Sequence, residues 1–90
     1  MTYTVKYSRQ ALKELQKMDK PTAAMLYGWI EKNLVDCNNP RIHGKALVGD
    51  KKGFWRYRIG NYRLIANIDD AHIVITIIHV GHRQNIYDRC

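Results

Sequence analysis

The sequence is poor in the residues that indicate a disulfide-stapled, metal-binding or membrane protein. Among 90 residues there are two cysteines, Cys37 and Cys90, and their spacing matches no metal site. Two free thiols favour a reducing compartment, so we expect a cytoplasmic protein. No apolar run approaches the roughly 20 residues of a membrane-spanning helix, and the polar residues after Met1 predict no signal peptide. We therefore expect no contact with a membrane.

Acidic residues are scarce as well, above all in one stretch. The chain has 15 Lys and Arg against eight Asp and Glu, which gives a net charge of +7. From Lys51 to Arg63 there are five basic residues and no acidic one. Such a balance favours an anionic partner, either nucleic acid, an acidic protein or an anionic surface. Since 46% of the residues are hydrophobic, residues 1–90 can form one small domain with its own core.

Apolar residues at helical spacing predict two helices near the start of the chain. A short strand ending at Tyr7 precedes them, and Ser8 is a suitable cap for the first helix. Pro21 suits the first turn of the second, which we expect to continue to about Val35. The apolar stripe of the first helix is Ala11, Leu12, Leu15 and Met18, and that of the second is Ala24, Tyr27, Ile30 and Leu34.

The remainder of the chain predicts strands. Two alternating segments flank Gly60-Asn61, a two-residue loop typical of a β-hairpin. The β-branched run Ile73–Ile78 is apolar on both faces and predicts a central strand that ends at Gly81. Lys45–Val48 is a candidate short strand. The order β-α-α-β-β-β predicts an α+β domain, with two N-terminal helices packed on one face of a mostly antiparallel sheet of about four strands.

The hairpin register places like charges opposite each other. With Gly60-Asn61 as the loop, Arg58 opposes Arg63, which is destabilising on a sheet unless an anion uses the concentrated charge. One face of the hairpin is expected to belong to the core: Trp55, Tyr57, Ile59, Tyr62, Leu64 and Ala66. The other face carries Arg56, Arg58 and Arg63 and is expected to be open. If the C-terminal tail turns onto this face, it adds His82, Arg83 and Tyr87.

These segments together resemble the RelE/ParE toxin superfamily. The resemblance is carried by Trp55–Ile65 with its arginines, by the β-branched strand, and by Gly81-His82-Arg83 followed by Tyr87. It extends to the N-terminal segment Tyr7–Leu15 and so covers nearly the whole chain. The basic residues after Gly81 and the tyrosine that follows them are typical of the RelE-like branch.

The resemblance implies a toxin of a type II toxin–antitoxin pair. RelE-like members enter the ribosomal A site and cleave the messenger RNA there, so the implied partners are the ribosome with its mRNA and a cognate antitoxin. By resemblance the catalytic residues are Arg63, Arg83 and Tyr87. Arg56 and Arg58 fall on the basic positions of the first hairpin strand and are implied to bind the RNA phosphates.

The chemistry of RNA cleavage fits this residue set and requires neither metal nor cofactor. The 2′-hydroxyl is an internal nucleophile, and guanidiniums bind the charged phosphate in bidentate fashion. Some RelE members carry lysine where this chain has Arg56 and Arg58, and arginine cannot serve as a base. The general base is then Tyr87, His82 or a flanking lysine.

The flanking lysines are Lys51 and Lys52, and both are also candidates for binding the RNA backbone. A metal site formed by His79 and His82 is not expected, because neither has a cysteine or carboxylate partner in the sequence pattern.

Other interpretations remain open at this stage. Arg58 and Arg63 would splay into solvent if they are ordinary surface residues, Arg83 would pair with Asp88, and Tyr87 would merely anchor the chain end. For the whole protein, the alternatives are a ParE-like inhibitor of DNA gyrase and a non-catalytic RNA-binding module.

Overall fold

A computed structural model describes residues 2–47 and 53–82, which form two helices on one face of a five-stranded sheet. The elements are β1 (Thr4–Tyr7), α1 (Arg9–Gln16), α2 (Lys20–Asn33), a 3-10 helix (Pro40–Ile42), β2 (Lys45–Ala46), β3 (Phe54–Ile59), β4 (Tyr62–Asp69) and β5 (Val74–His82). The strand order is β1-β5-β4-β3-β2, with β1 parallel to β5 and the other pairs antiparallel. The predicted α+β class is confirmed, and β2 is the fifth strand.

Both helices begin at side-chain caps that the sequence provides. The Ser8 hydroxyl accepts the Ala11 N–H at 3.0 Å, and the Asp19 carboxylate accepts the Thr22 N–H at 3.3 Å. These contacts satisfy backbone donors that have no partner inside the helix. The predicted face of the second helix is wrong in one detail: Ala24 is exposed, and Leu26 is buried in its place.

The core lies between the helices and the near face of the sheet. Tyr57 and Leu64 from the hairpin are fully buried there, and they pack in one cluster with Leu15 of α1 and Ile30 of α2. Fully burying one such side chain contributes about 1.5–3 kcal/mol, so this cluster is the main source of stability. Among the described residues, no helix is long and apolar enough to cross a membrane.

The predicted hairpin register is confirmed. Arg58 pairs with Arg63 and Ile59 with Tyr62, with Gly60 at a φ of +59° in the loop. A positive φ suits glycine, which has no Cβ to clash with the backbone. The two sets of alternate residues therefore face opposite sides of the sheet, as the sequence predicted.

Strand β5 differs from the prediction in two ways, at its end and at a β-bulge. It continues through Gly81 to His82, so the expectation that Gly81 ends the strand is wrong. It also contains a β-bulge: Ile65 pairs with His79, whereas the next residue, Ala66, pairs with Ile77. The extra residue between them, Ile78, shifts the alternation of every side chain that follows.

The bulge lies where β1 ends and α1 begins. Ser8 donates its backbone N–H to the Ile77 carbonyl at 2.8 Å and its hydroxyl to the Ile78 carbonyl at 2.8 Å. Beyond this point β1 no longer pairs with β5, and a Glu14 carboxylate oxygen accepts the Val80 N–H at 3.0 Å. Ser8, which caps α1, and the Glu14 side chain thus make hydrogen bonds to β5 where the pairing with β1 ends.

Candidate functional site

The sheet side that faces away from α1 and α2, here called the arginine face, carries Arg56, Arg58 and Arg63. Arg58 lies directly opposite Arg63, and Arg63 lies opposite Gly81 on its other side. Directly opposed residues point to the same side of a sheet, so the two guanidiniums share one neighbourhood. Gly81 places no side chain beside Arg63, which leaves room for the guanidinium.

The three arginines differ in exposure. Arg63 is only 2% exposed, Arg56 is half-buried and Arg58 is exposed. The expectation that this face is open is therefore wrong at Arg63, and so is the alternative in which Arg63 splays into solvent. Charged side chains are almost never fully buried unless their surroundings satisfy them. A buried guanidinium also acts through a lower dielectric, where its attraction to a neighbouring negative charge is stronger than in water and offsets part of the cost of its desolvation.

A fourth cation joins this face from β2. Lys45 pairs with Arg56, and together with Gly44 and Arg58 they line a pocket of about 220 Å³. Sequence reasoning did not single out Lys45, because a two-residue strand has no detectable alternation. The signal that was available is the basic residue next to Gly44, within the segment already expected to form a strand.

His82 lies on the other side of the sheet. It pairs with Tyr62, and the two rings meet edge to face with their centroids 5.7 Å apart. Both residues line a surface pocket together with Lys17 and Met18, which follow α1. The expectation that His82 turns onto the arginine face is therefore wrong. The physical cause is the bulge at Ile78, which reverses the facing of the last residues of β5.

His79, and not His82, lies in register with Arg56. It pairs with Ile65, which lies between His79 and Arg56 in the sheet. The His79 Nδ1 lies 3.6 Å from a carboxylate oxygen of Glu14 in α1, so the imidazole contacts the helix and not the arginines. Glu14, whose side chain is mostly buried, was not singled out from the sequence. Its contact with the Val80 N–H explains its position without reference to catalysis.

Four of the sequence-predicted site residues lie outside the described residues: Lys51, Lys52, Arg83 and Tyr87. Their roles stay predictions, as does the suggested pairing of Arg83 with Asp88. Within residues 2–47 and 53–82, no group of three or more His, Cys, Asp or Glu side chains is arranged to hold a metal ion.

Comparison with known sequences and structures identifies relatives along nearly the whole chain. The family model described as the ParE toxin of the type II toxin–antitoxin system parDE matches residues 5–87. Toxin RelG of Mycobacterium tuberculosis is 34% identical over 89 residues, covering 99% of this chain and 100% of RelG. The mRNA interferase toxin RelE of Escherichia coli K12 is 30% identical over 86 residues, covering 93% of this chain and 86% of RelE.

Solved structures similar to this chain come from the same group of toxins as the related sequences. A chain of the toxin–antitoxin complex RelBE2 from Mycobacterium tuberculosis matches with a TM-score of 0.84 and 31% identity, covering 92% of this chain and 93% of that one. A chain of the intact Escherichia coli RelBE complex matches with a TM-score of 0.72 and 26% identity, covering 89% and 95%. The chain belongs to the RelE/ParE superfamily of toxins from type II toxin–antitoxin systems.

Proposed function

We propose that this toxin is a ribosome-dependent endoribonuclease that cleaves mRNA in the A site and thereby stops translation. The observation that carries the proposal is the arginine face, where the nearly buried Arg63 lies directly opposite Arg58. Its relative from Escherichia coli bears the name mRNA interferase, which agrees with this assignment. The proposed target, mRNA on a translating ribosome, places the activity in the cytoplasm.

The protein must help in three ways: it removes a proton from the 2′-hydroxyl, stabilises the additional charge on the phosphate and gives a proton to the leaving 5′-oxygen. The 2′-hydroxyl loses its proton and its oxygen attacks the adjacent phosphorus, while the bond from phosphorus to the 5′-oxygen breaks and that oxygen gains a proton. The products are a 2′,3′-cyclic phosphate and a free 5′-hydroxyl. Since the RNA supplies the nucleophile, the proposal uses no metal and no cofactor, and the protein supplies charge stabilisation and proton transfer.

The arginines suit the stabilisation of charge. The phosphorane that forms during the attack carries an additional negative charge, and preorganised donors aimed at such a charge contribute about 3–4 kcal/mol each. We assign Arg63 and Arg83 to the scissile phosphate, with Arg56 and Arg58 supporting it. Tyr87 is assigned to the 2′-hydroxyl, as its base or as the ring on which a nucleobase stacks.

The remaining predicted residues receive lesser roles in this mechanism. Lys51 and Lys52 are proposed to bind the RNA backbone. His82, which packs on Tyr62 across the sheet from Arg63, is the weakest candidate for proton transfer because catalytic groups must lie within hydrogen-bonding reach of the reacting atoms.

A cognate antitoxin is the second proposed partner. Several of the similar structures are toxin–antitoxin complexes, among them the RelBE2 complex. With a net charge of +7, this toxin suits an acidic segment that folds over it. Co-expression with the adjacent gene is expected to restore growth, and toxicity that no neighbouring gene relieves would contradict this part of the proposal.

Induced expression followed by mapping of mRNA 5′ ends tests the proposed activity. The wild type is expected to produce cuts in phase with ribosomal codons, and both Arg83→Ala and Tyr87→Ala are expected to lose them while folding normally. DNA cleavage complexes with gyrase and continued translation would identify a ParE-like gyrase inhibitor instead. Salt-dependent RNA binding without any cuts would identify an RNA-binding module.

A further inference from the structure

A basic pocket extends the arginine face toward the β2 edge of the sheet. Its lining, within the part of the chain that the structure describes, is Gly44, Lys45, Arg56 and Arg58. We propose that Lys45 and Arg56 form a second phosphate site, which binds the RNA backbone next to the link that is cut, and that Arg58 lies between this site and the scissile phosphate. This inference rests on the proposed function, since it names the neighbouring contact of the same RNA strand.

The position of Lys45 is fixed by the residue before it. Gly44 has a φ of +86°, and a Cβ added there would lie 2.0 Å from the Arg56 carbonyl oxygen. No side chain larger than hydrogen fits this close approach, so the chain enters β2 in contact with the backbone of β3. Lys45 therefore starts from a defined point opposite Arg56.

Two hydrogen bonds from β3 attach the loop segment Pro40–Gly44, which leads into Lys45 at the start of β2. The Trp55 Nε1–H donates to the His43 carbonyl at 2.7 Å, and the Tyr57 hydroxyl donates to the Pro40 carbonyl at 2.7 Å. Each of these aromatic side chains is packed against the core, so the loop is held by groups that have little freedom to move.

A third attachment joins the same loop to the turn between β4 and β5. Arg41 makes a two-point contact with the Asp70 carboxylate, at 2.9 and 3.0 Å, and its guanidinium lies 5.9 Å from the centre of the Trp55 ring. With three attachments, the pocket is formed before any ligand arrives. A preorganised site loses less entropy on binding than a mobile one.

The charge of the pocket specifies an anion. Its described lining contains three cations and no acid. Two carboxylates among the described residues are engaged elsewhere: Asp70 contacts Arg41, and Asp69 contacts His72. Two of these described cations are guanidiniums, whose donor geometry matches phosphate.

The spacing favours a nucleic acid strand over a single carboxylate. The pair Lys45–Arg56 and the pair Arg58–Arg63 are two residues apart along β3, which is about 7 Å at the usual rise of a strand. One nucleotide step of an RNA strand spans such a distance. The second pair is the proposed scissile-phosphate site, so consecutive phosphates would meet consecutive cation pairs.

The test measures binding of a 2′-O-methyl RNA oligonucleotide, which cannot be cleaved, to the full-length toxin at several salt concentrations. Each phosphate contact on a single strand contributes about 0.7 to the slope of log K against log salt. Lys45→Gln is expected to weaken binding several-fold and to reduce the slope by about 0.7, whereas Lys45→Arg retains both. Lys32→Gln, an exposed lysine in the last turn of α2, is the charge-matched control and is expected to change neither.

The outcomes separate this inference from the proposed function. An unchanged slope in Lys45→Gln, or no measurable binding by the wild type at low salt, overturns the second phosphate site. Loss of affinity for an acidic antitoxin peptide with an unchanged RNA slope overturns it too, and assigns the pocket to the antitoxin. If the slope changes as expected but the wild type cuts no mRNA on ribosomes, the phosphate site stands and the proposed cleavage fails.

Discussion

Alternate residues of the β3–β4 hairpin form two faces that differ in composition, burial and charge. Toward the helices, Tyr57 and Leu64 are fully buried and pack in the hydrophobic core. On the opposite side, Arg58 and Arg63 are placed directly across from each other, one exposed and one nearly buried. Because side chains alternate along a strand, one face of the hairpin stabilises the fold and the other carries the positive charge.

The difference shows how the fold tolerates an unfavourable arrangement. Like charges directly opposed across two strands cost up to about 1 kcal/mol, whereas each large side chain buried on the other face contributes about 1.5–3 kcal/mol. The apolar face offsets the cost of the arginine face. Residues that oppose folding are typical of functional sites, and in this hairpin such residues, the opposed Arg58 and Arg63, lie on one face.

The largest effect on stability is expected on the helix face. Leu64→Ala removes a fully buried side chain and leaves a cavity, so we expect a loss of about 2–5 kcal/mol in the free energy of unfolding. Asn67→Ala, an exposed position on the same strand, is the control and is expected to stay within about 0.5 kcal/mol. Urea denaturation followed by circular dichroism measures both, and equal losses would contradict the division into two faces.

A smaller effect is expected where the core supports the arginine face. The Tyr57 hydroxyl is buried, which raises its pKa, and it donates a hydrogen bond to the Pro40 carbonyl. Tyr57→Phe deletes that bond and is expected to cost about 1–2 kcal/mol, because the buried carbonyl loses its partner. If the loop after Pro40 positions Lys45, the variant also binds the 2′-O-methyl RNA more weakly. Unchanged stability in urea would show that this bond does not attach the loop.

The smallest effect is expected at the exposed end of the sheet, and it depends on pH. The hydrogen bonds from Arg41 and then Tyr3 hold the pKa of the Asp70 carboxyl below its usual range. A carboxyl with a lowered pKa in the folded state stabilises the fold above its ordinary pKa of about 3.9, and this contribution is lost as the pH falls through the lower value.

Asp70→Asn is therefore expected to lower the urea midpoint slightly at pH 7, and the difference from the wild type is expected to shrink below about pH 3.9. Glu31→Gln, a charge-matched change at an exposed position of α2, serves as the control. A difference for Asp70→Asn that stays constant down to pH 2 would contradict a role for the ionised carboxylate.

The hairpin was predictable from the sequence because its signals are local. Gly60-Asn61 defines the loop, and strict alternation then determines which residues share a face. The bulge in β5 was not predictable, since every residue from Ile73 to Ile78 except Thr76 is β-branched and apolar, and such a run shows no register. His82 was misplaced for that reason.

Lys45 was missed for a different reason. Its position depends on contacts that are distant in sequence, between the loop after α2 and the aromatic side chains of β3. The error in the predicted core face of α2, where Leu26 is buried and Ala24 is exposed, has a similar origin. The orientation of α2 is determined by packing against the sheet as well as by its own periodicity. For α2 and β2, local patterns identified the element, and tertiary packing determined which residues face the core and which lie on the arginine face.

The central claim is that cleavage takes place on the arginine face. The most direct test is the single-turnover rate of mRNA cleavage in the ribosomal A site, measured for the variants Arg63→Gln and His82→Ala. Arg63→Gln is expected to lower this rate about 10²–10³-fold through loss of a charge-stabilising donor. His82→Ala, across the sheet, is expected to stay within about tenfold, well below the 10²–10⁴-fold of a general acid or base. A rate that survives Arg63→Gln but collapses in His82→Ala would place the chemistry on the helix side and contradict the account.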